Sequence, residues 1–308
     1  MDAGTLKHPD VPQALPPVVR ARLQAGQRRV TGAGDERVVW HAWGVPDGAP
    51  PVVLLHGGSG SWTHWVKNIV PLLDAGRWVL AADMPGFGDS DPPAVGSDAD
   101  AMAGPLAAGL RALVPGVAVD LVGFSLGGLV SARLLAAHPE LARRLVLVGA
   151  PAMGVAADRP VQLKAWRHLA TRALQLEHHR HNLAVLMLHD ARAVDALALE
   201  LHAANVERDR LPRRRRSFAD WLARTLPGLA CPVHAIYGEH DALYVPRVHQ
   251  LAGAFAAAAP DFRGLQLIEG AGHWVQYEKA AAFDVALQDA LGACWLTGPN
   301  SVSGQGSR

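Results

Sequence analysis

Gly123-Phe124-Ser125-Leu126-Gly127 is the stretch of sequence that decides the fold. The apolar run at residues 117–122 before it predicts a buried strand, and residues 126–138 after it are compatible with a helix. A serine between glycines at a strand–helix junction is typical of a sharp turn that exposes the hydroxyl at its tip. The glycines are needed because strand and helix backbones approach too closely for larger side chains. The stretch therefore predicts an α/β fold with Ser125 at one edge of the sheet.

The composition excludes several classes of protein. The 308 residues are 50% hydrophobic, enough for a sizeable core, and the formal net charge of +1 gives no general attraction to nucleic acid. No apolar stretch is long enough to span a bilayer, and the first ten residues lack the apolar segment of a secretory signal. Cys231 and Cys294 have no metal-ligand spacing, and we expect reduced thiols. We therefore expect a cytoplasmic protein that binds neither nucleic acid nor membrane.

Strand-like runs and helical stretches alternate along most of the chain. Besides the run before Ser125, short apolar runs lie at residues 51–55, 78–82, 145–148, 233–237 and 265–268. Strands that alternate with helices predict a doubly wound, mostly parallel sheet. Residues 152–226 contain no such run, and their pattern predicts a helical cap inserted between two strands. We accordingly divide the chain into an N-terminal arm (1–34), an α/β core (35–151 and 227–296), the cap (152–226) and a disordered tail (297–308).

A candidate acid and a candidate base follow Ser125 along the chain. Asp241 comes at the end of a predicted strand, and His273 lies in a glycine-rich loop after the next one. An imidazole there can take the proton of a serine hydroxyl, and a carboxylate can accept its other N–H and fix the tautomer. Glu239 is a rival for the acid, and Asp241 could instead cap the following helix. The sequence predicts a catalytic set of Ser125, Asp241 and His273.

Two backbone amides are the candidates for an oxyanion hole beside this serine. Leu126 follows the nucleophile at a helix N-terminus, and Gly58 lies in His56-Gly57-Gly58, directly after an earlier strand. Read alone, this second segment is also a plain strand-ending turn. The glycines do not indicate a phosphate site, because the chain has no GxxxxGK[ST] and no GxGxxG with a trailing acid.

The sequence marks candidate substrate-binding residues less clearly. Trp62 and Trp274, like Trp65, lie near the catalytic loops, where they either line an apolar pocket or pack in the core. Asn205 and Arg208, three residues apart, can share the face of a cap helix that looks toward the pocket.

Two basic clusters in the predicted cap have plainer interpretations. His178-His179-Arg180-His181 resembles a metal cluster, but no Cys or carboxylate completes a ligand set nearby. We expect it to be a solvated helix face, and we predict no metal site. The run from Arg213 to Arg216 is expected to be exposed surface, with attraction for an anionic substrate as the alternative.

Taken in order, five blocks of the chain resemble those of the α/β-hydrolase superfamily, over about residues 35–295. They are His56-Gly57-Gly58, Asp83-Met84-Pro85-Gly86-Phe87-Gly88-Asp89-Ser90, Gly123-Phe124-Ser125-Leu126-Gly127-Gly128, Tyr237-Gly238-Glu239-His240-Asp241 and Gly272-His273-Trp274. The resemblance implies an eight-stranded core, a helical cap and a Ser125–Asp241–His273 triad.

Within this superfamily the chain looks closest to the meta-cleavage-product hydrolases, which cleave a C–C bond in products of aromatic-ring degradation. Residues 85–91 and 272–278 carry that similarity. The family usually has an asparagine before the nucleophile, which helps to bind a polar dienol, whereas this chain has Phe124, which cannot form that hydrogen bond. Dehalogenase-like and epoxide-hydrolase-like relatives use an aspartate nucleophile, and Ser125 argues against both.

The resulting prediction is a serine hydrolase for a small to medium, largely apolar carboxylic ester, with Phe124 as a further candidate substrate contact. C–C bond hydrolysis of the meta-cleavage type is the alternative, and perhydrolysis is another possibility within the same chemistry. A non-catalytic, ligand-binding or partner-binding homologue is the alternative of a different class. We predict no cofactor and a small-molecule substrate. The oligomeric state is left open, a homodimer included.

Overall fold

Over the residues that the structure describes, the sheet has eight strands. The computed structural model describes residues 11–155, 161–211 and 219–292. The strands are β1 (Gln27–Thr31), β2 (Val38–Trp43), β3 (Val52–Leu55), β4 (Val79–Asp83), β5 (Val119–Phe124), β6 (Ala142–Val148), β7 (Val233–Gly238) and β8 (Phe262–Ile268). Their order is β1-β2-β4-β3-β5-β6-β7-β8. β2 pairs antiparallel with β1 and β4, and the other neighbours pair in parallel, which confirms the predicted fold class.

Helices cover both faces of this sheet. They are α1 (Pro17–Gln24), α2 (Ile69–Asp74), α3 (Ala99–Leu113), α4 (Leu126–Ala137), α5 (Arg172–Asn182), α6 (Ala196–Glu207), α7 (Trp221–Thr225), α8 (Leu251–Ala258), α9 (Val275–Glu278) and α10 (Ala280–Leu291). The apolar side chains of α3, α4, α7 and α8 belong to the core on one face, and those of α1, α2 and α10 to the core on the other.

The central strands are apolar throughout because both of their faces are covered. In β3, Val53 and Leu55 point into one core cluster, while Val52 and Leu54 point into the other. Successive side chains of a strand alternate between the faces of a sheet, so a strand between two helical layers needs apolar residues at every position. This is the physical reason for the uninterrupted apolar runs in the sequence.

The predicted boundary of the core at residue 35 needs correction. Residues 27–31, which the sequence analysis placed in the N-terminal arm, form the edge strand β1 and pair with β2 in an antiparallel ladder. The strand is polar and only half-buried over most of its length, so it carries no apolar run. α1 precedes it and contributes the buried side chain of Leu23 to the core.

The helices within residues 152–226 do not all belong to the cap. α5, a π-helical turn at Leu183–Met187 and α6 lie over the loops at the carboxyl ends of the strands. α7 packs instead on the core, where Leu222 and Leu226 join the cluster that includes α4. We use the word cap below for α5, the π-helical turn, α6 and their connections.

Several predictions concern residues outside the described ranges. These are the arginine run at 213–216, Cys294 and the tail at 297–308. Cys231 is a buried free thiol, and burial raises its pKa to about 11. Within the described ranges, the helices are too short or too polar to cross a bilayer.

Candidate active site

Ser125 occupies a strained turn between β5 and α4. Its backbone has φ 50° and ψ −116°, a conformation that costs a residue with a side chain about 1–3 kcal/mol. The flanking glycines allow this turn. A Cβ on Gly127 would lie 2.5 Å from the carbonyl oxygen of Leu55, and one on Gly123 would lie 2.5 Å from the carbonyl oxygen of Gly127. The turn therefore presents the serine hydroxyl where the strand ends.

The structure brings together the three side chains that the sequence analysis selected. Ser125 Oγ lies 3.1 Å from His273 Nε2, and His273 Nδ1 lies 2.8 Å from Asp241 Oδ2. The second carboxylate oxygen accepts the amide of Leu243 at 2.9 Å. Because Asp241 accepts the Nδ1 hydrogen, Nε2 is free to accept the hydrogen of the serine hydroxyl. Asp241 is fully buried and His273 is 3% exposed, so bulk water competes little for these hydrogen bonds.

Glu239, the rival for the acid, is exposed and points elsewhere. Its carboxylate accepts the amide of Gly270 at 3.4 Å. Glu278, which the sequence analysis did not select, has a positioning role. Its carboxylate accepts the amide of Gly272, just before the candidate base, at 2.7 Å and the amide of His189 in the cap at 3.0 Å. This side chain therefore fastens the loop of the base to the cap.

Two imidazoles hold the backbone of Gly57, one at its carbonyl and one at its amide. His56 Nε2 accepts the amide of Met84 at 2.9 Å, so its Nδ1 carries the hydrogen and donates to the carbonyl of Gly57 at 2.7 Å. The amide of Gly57 donates to His64 Nδ1 at 3.2 Å. A trans peptide points its C=O and N–H in opposite directions, so fixing the Gly57 carbonyl also fixes the direction of the Gly58 N–H.

His64 can serve as the acceptor in this arrangement because it is neutral. Burial, reinforced by the neighbouring His56, holds the pKa of His64 well below its ordinary value. The indole of Trp274 donates to the carbonyl oxygen of His64 at 3.0 Å and fixes the backbone of this residue. Leu126 supplies the other candidate amide, because it is the first residue of α4, where the helical N–H groups have no partner within the helix.

The two tryptophans expected at the substrate pocket are instead part of the packed interior. Trp62 is buried against Trp43, with ring centroids 5.3 Å apart. Trp274 stacks on Tyr277 at 4.3 Å and is fully buried. Of the two readings that the sequence left open, the structure favours core packing for both. Their place among the candidate substrate-binding residues is therefore corrected.

Phe124 also packs in the interior, where its ring contacts the candidate base. Its ring is fully buried and lies 5.0 Å from the ring of His273. A Cβ on Gly57 would come within 2.9 Å of the same ring, so the aromatic side chain packs under the oxyanion loop as well. The expected substrate contact is therefore corrected to a packing contact that positions the base.

Asn205 and Arg208 dock the cap onto the core and do not line the cavity described below. Asn205 accepts the hydroxyl of Ser61 at 2.7 Å and donates to Thr63 Oγ1 at 3.0 Å. Arg208 forms an ion pair with Asp89 in the loop after β4. The two side chains expected to bind substrate therefore hold the end of α6, Asn205 against the segment that follows the oxyanion loop and Arg208 against the loop after β4.

A cavity of about 240 Å³ lies between the cap and the oxyanion loop. Its lining includes Gly58 and His64 from the core and Trp166, Leu186, Met187 and His202 from the cap. Because Gly58, whose amide is a candidate for the oxyanion hole, lines the cavity, the cavity is a candidate place for part of a substrate.

Of the four residues at 178–181, for which the sequence indicated a solvated face, Arg180 is exposed and His179 is not. His179 is fully buried, with its ring 4.8 Å from Trp166 and 5.5 Å from His202. Burial lowers the pKa of His179. Among residues 11–155, 161–211 and 219–292, no three or more His, Cys, Asp or Glu side chains are grouped so that they could hold a metal ion.

Comparison with known proteins shows the family to which the chain belongs. Residues 50–280 match the family model described as the α/β hydrolase fold. The chain therefore belongs to the α/β-hydrolase fold family, and the curated relatives described next are named hydrolases.

Two curated relatives carry the same printed name, 2-hydroxy-6-oxononadienedioate/2-hydroxy-6-oxononatrienedioate hydrolase. The one from Cupriavidus pinatubonensis is 28% identical over 88% of this chain and all of the relative. The one from Klebsiella pneumoniae is 30% identical over 77% of this chain and 85% of the relative. The solved structure of a carboxylesterase from Bacillus subtilis superimposes with a TM-score of 0.70 at 20% identity, over 86% of this chain and 91% of that one, which shows the shared fold.

Proposed function

We propose that this member of the α/β-hydrolase fold family is a serine hydrolase that cleaves largely apolar carboxylic esters. The observation that carries the proposal is the continuous hydrogen-bond chain from Ser125 Oγ through His273 to the buried Asp241. Such a chain converts a weakly acidic hydroxyl into a nucleophile at neutral pH.

The reaction follows from the positions of these groups. His273 Nε2 takes the proton of Ser125 Oγ as the oxygen attacks the ester carbonyl carbon, and the carboxylate of Asp241 stabilises the imidazolium. The amides of Leu126 and Gly58 hold the resulting oxyanion. The tetrahedral intermediate then collapses, His273 returns the proton to the departing alkoxide, and an acyl-enzyme remains. A water molecule that gives its proton to the same imidazole releases the acid.

The ester proposal is supported by what surrounds the nucleophile. The cavity beside Gly58 has the side chains of Trp166, Leu186 and Met187 in its lining. These surfaces suit the apolar part of an ester.

C–C bond hydrolysis is the second candidate, because the printed names of the curated relatives describe dienedioate and trienedioate hydrolases. In that reaction the leaving group is a carbanion equivalent, so the substrate must ketonise before Ser125 attacks. A dienedioate also carries two carboxylates, and the enzyme would have to accommodate both.

The test compares Ser125→Ala with the wild-type protein on p-nitrophenyl acetate, p-nitrophenyl butyrate and a ring-cleavage dienoate. We expect the variant to lose at least about four orders of magnitude in kcat/KM on the esters. A fluorophosphonate probe is expected to label the wild type and Ser131→Ala, a buried serine on α4 outside the site, and not Ser125→Ala. Ester turnover that survives in Ser125→Ala would contradict the mechanism. A folded wild type that resists labelling would favour a non-catalytic binding protein, and preference for the dienoate would favour the C–C reaction.

A further inference from the structure

The oxyanion loop, residues 57–60, contains a serine in a backbone conformation that a side chain disfavours. Ser59 directly follows Gly58, whose amide is a candidate for the oxyanion hole, and its φ is 50°. Among the described residues, a positive φ at a residue other than glycine occurs at Ser59, Ser125 and Ala152. Glycine adopts such a φ without strain, whereas a residue with a side chain keeps it only when its surroundings hold it there. The serine at position 59 therefore requires a restraint.

That restraint comes from the segment directly after α6. The hydroxyl of Ser59 donates to Asp209 Oδ2 at 2.5 Å, in a partly buried position. The other carboxylate oxygen accepts the amide of Leu211 at 2.8 Å, so Asp209 joins its own turn to the oxyanion loop. A hydrogen bond to a carboxylate is roughly twice as strong as one between neutral groups. The contact is therefore suited to hold an unfavourable backbone conformation.

The turn that contains Asp209 is itself fixed on the core. The amide of Arg210 donates to the carbonyl of Gly86, in the loop after β4, at 3.1 Å. Leu211 is buried, and a Cβ on Gly86 would lie 2.4 Å from its side chain, so the two segments are in close contact. The carboxylate of Asp209 therefore approaches the oxyanion loop from a fixed support.

Gly58 consequently lies between two restrained residues. On its N-terminal side, two imidazoles hold the backbone of Gly57. On its C-terminal side, Asp209 holds Ser59. A glycine can rotate about both of its backbone bonds, so a restraint on one side alone would leave the loop able to swing. An oxyanion hole is effective because its donors need no rearrangement while the charge develops, and the two restraints together meet that requirement.

We propose that Asp209 is a positioning residue for the oxyanion hole, which acts through Ser59 on the amide of Gly58. Its carboxylate holds Ser59 in the left-handed conformation and thereby keeps the Gly58 N–H directed at the developing oxyanion. Full activity then requires that the segment after α6 is docked on the core. The proposal rests on the proposed function, because it concerns the oxyanion hole of that same reaction.

The first measurement compares Asp209→Ala with the wild type on p-nitrophenyl butyrate. The oxyanion develops in the transition state, so loss of its positioning lowers kcat and leaves KM nearly unchanged. We expect kcat to fall about tenfold, which is less than the loss of about 10²–10³-fold when an oxyanion donor is removed outright. Asp209→Asn keeps an oxygen for the Leu211 amide and an N–H for Ser59 Oγ, and we expect its kcat to stay within about threefold of the wild type.

Asp190 supplies a matched control within the cap. Its carboxylate also accepts an amide two residues further on, that of Arg192 at 2.9 Å, and its second partner is the guanidinium of the same residue. Asp190→Ala therefore loses a turn of the same kind and leaves the bond between Ser59 and Asp209 in place, so kcat should be unchanged. An equal loss of kcat in the two alanine variants would overturn the specific role of Asp209.

Two variants of Ser59 test whether its backbone conformation is what matters. Ser59→Ala removes the hydroxyl and keeps a Cβ that disfavours the left-handed conformation, so kcat should fall about tenfold, as in Asp209→Ala. Ser59→Gly adopts a φ of 50° without strain, and its kcat is expected to be at least about threefold above that of Ser59→Ala. The double variant of Ser59→Ala and Asp209→Ala should have the kcat of either single variant, because both changes remove one bond.

An alkyl trifluoromethyl ketone provides a readout that partial unfolding does not change. Ser125 Oγ adds to the ketone carbon, His273 takes the proton, and the ketone oxygen becomes an anion in the oxyanion hole. The inhibition constant reports on active molecules alone, so a smaller folded fraction leaves it unaltered. We expect it to rise about tenfold in Asp209→Ala and to keep the wild-type value in Asp190→Ala. Circular dichroism checks folding, and if Asp209→Ala does not fold, the two variants of Ser59 decide.

The outcomes separate this inference from the function on which it rests. If the wild type does not hydrolyse p-nitrophenyl esters and the fluorophosphonate does not label Ser125, the proposed function fails and the positioning role fails with it. If the wild type hydrolyses the esters through Ser125 but Asp209→Ala retains its kcat and inhibition constant, the positioning role alone is overturned. Additive losses in the double variant, or a Ser59→Gly variant no faster than Ser59→Ala, would overturn it too.

Discussion

Asp284→Asn should make the protein more stable, by an amount that grows as the pH rises from about 4 to 7. Asp284 lies on α10, and Asn68 donates to its Oδ1 at 2.8 Å. Burial raises the pKa of this carboxyl from 3.8 to about 7. In the native protein the group therefore remains protonated up to near neutrality, while in the unfolded chain it ionises near pH 4.

The sign and size of the effect follow from this difference. Between pH 4 and 7 the native state binds more protons than the unfolded state, so the contribution of Asp284 to stability falls as the pH rises and stays low above pH 7. A gap of about three pKa units at 1.36 kcal/mol each gives about 4 kcal/mol, and partial access of water to the site reduces this to about 2–4 kcal/mol. Asparagine retains the acceptor for Asn68 and never ionises, so it avoids this loss.

Urea unfolding at pH 4.5 and pH 8 measures the prediction. The free energy of unfolding of Asp284→Asn minus that of the wild type should be about 1 kcal/mol or less at pH 4.5 and reach about 2–4 kcal/mol at pH 8. Asp47→Asn, in an exposed loop, is the control and should show no comparable pH-dependent gain. A difference between Asp284→Asn and the wild type that is the same at both pH values would refute the reasoning.

Two other predictions concern the turn and the docking of the cap. Gly127→Ala should destabilise the protein by about 3 kcal/mol in a thermal denaturation assay, because the new Cβ would meet the backbone carbonyl of Leu55. The control is Gly253→Ala on α8, where the new Cβ would meet no other atom, and this variant should be neutral or slightly stabilised. Equal melting temperatures for these two variants would contradict the packing argument. Asn205→Ala should lower kcat for p-nitrophenyl acetate about tenfold with a smaller change in KM, because the segment after the oxyanion loop loses the cap residue that bonds Ser61. An unchanged kcat would show that docking of the cap does not position the loop.

The central part of the site could be read from the sequence because parallel strands place their carboxyl ends at one edge of a sheet. Ser125, Asp241 and His273 each follow such a strand, and residues far apart in the chain therefore meet there. The glycines around the serine add a local signal, since close backbone approach admits no other residue.

The edge of the sheet was harder to read, for a physical reason. β1 pairs with one neighbouring strand, and most of its side chains are half-buried. Half-buried positions accept polar residues, so Gln27–Thr31 shows little apolar pattern. Trp62 and Trp274 show a related ambiguity. An aromatic residue next to a catalytic loop looks the same in sequence whether it lines a pocket or fills the core, and only packing separates the two.

His64 and His202 had no signal that sequence reasoning could use. They meet only because the cap folds over the core, and neither lies in a motif. Asn205 was expected to contact substrate, but it contacts Ser61 of the core. Spacing along a helix shows which residues share a face, but it does not show what that face packs against.

The hydrogen bond from the Gly57 amide to His64 Nδ1 has a consequence for activity measurements at acidic pH. A proton on His64 Nδ1 would face the N–H of Gly57, and the repulsion between the two donors would distort the loop. Burial lowers the pKa of His64 well below that of a free imidazole, so this protonation requires a correspondingly lower pH. Mild acidification should therefore leave the shape of the oxyanion loop intact. A decline in rate between pH 7 and 5 then needs no correction for a distorted loop.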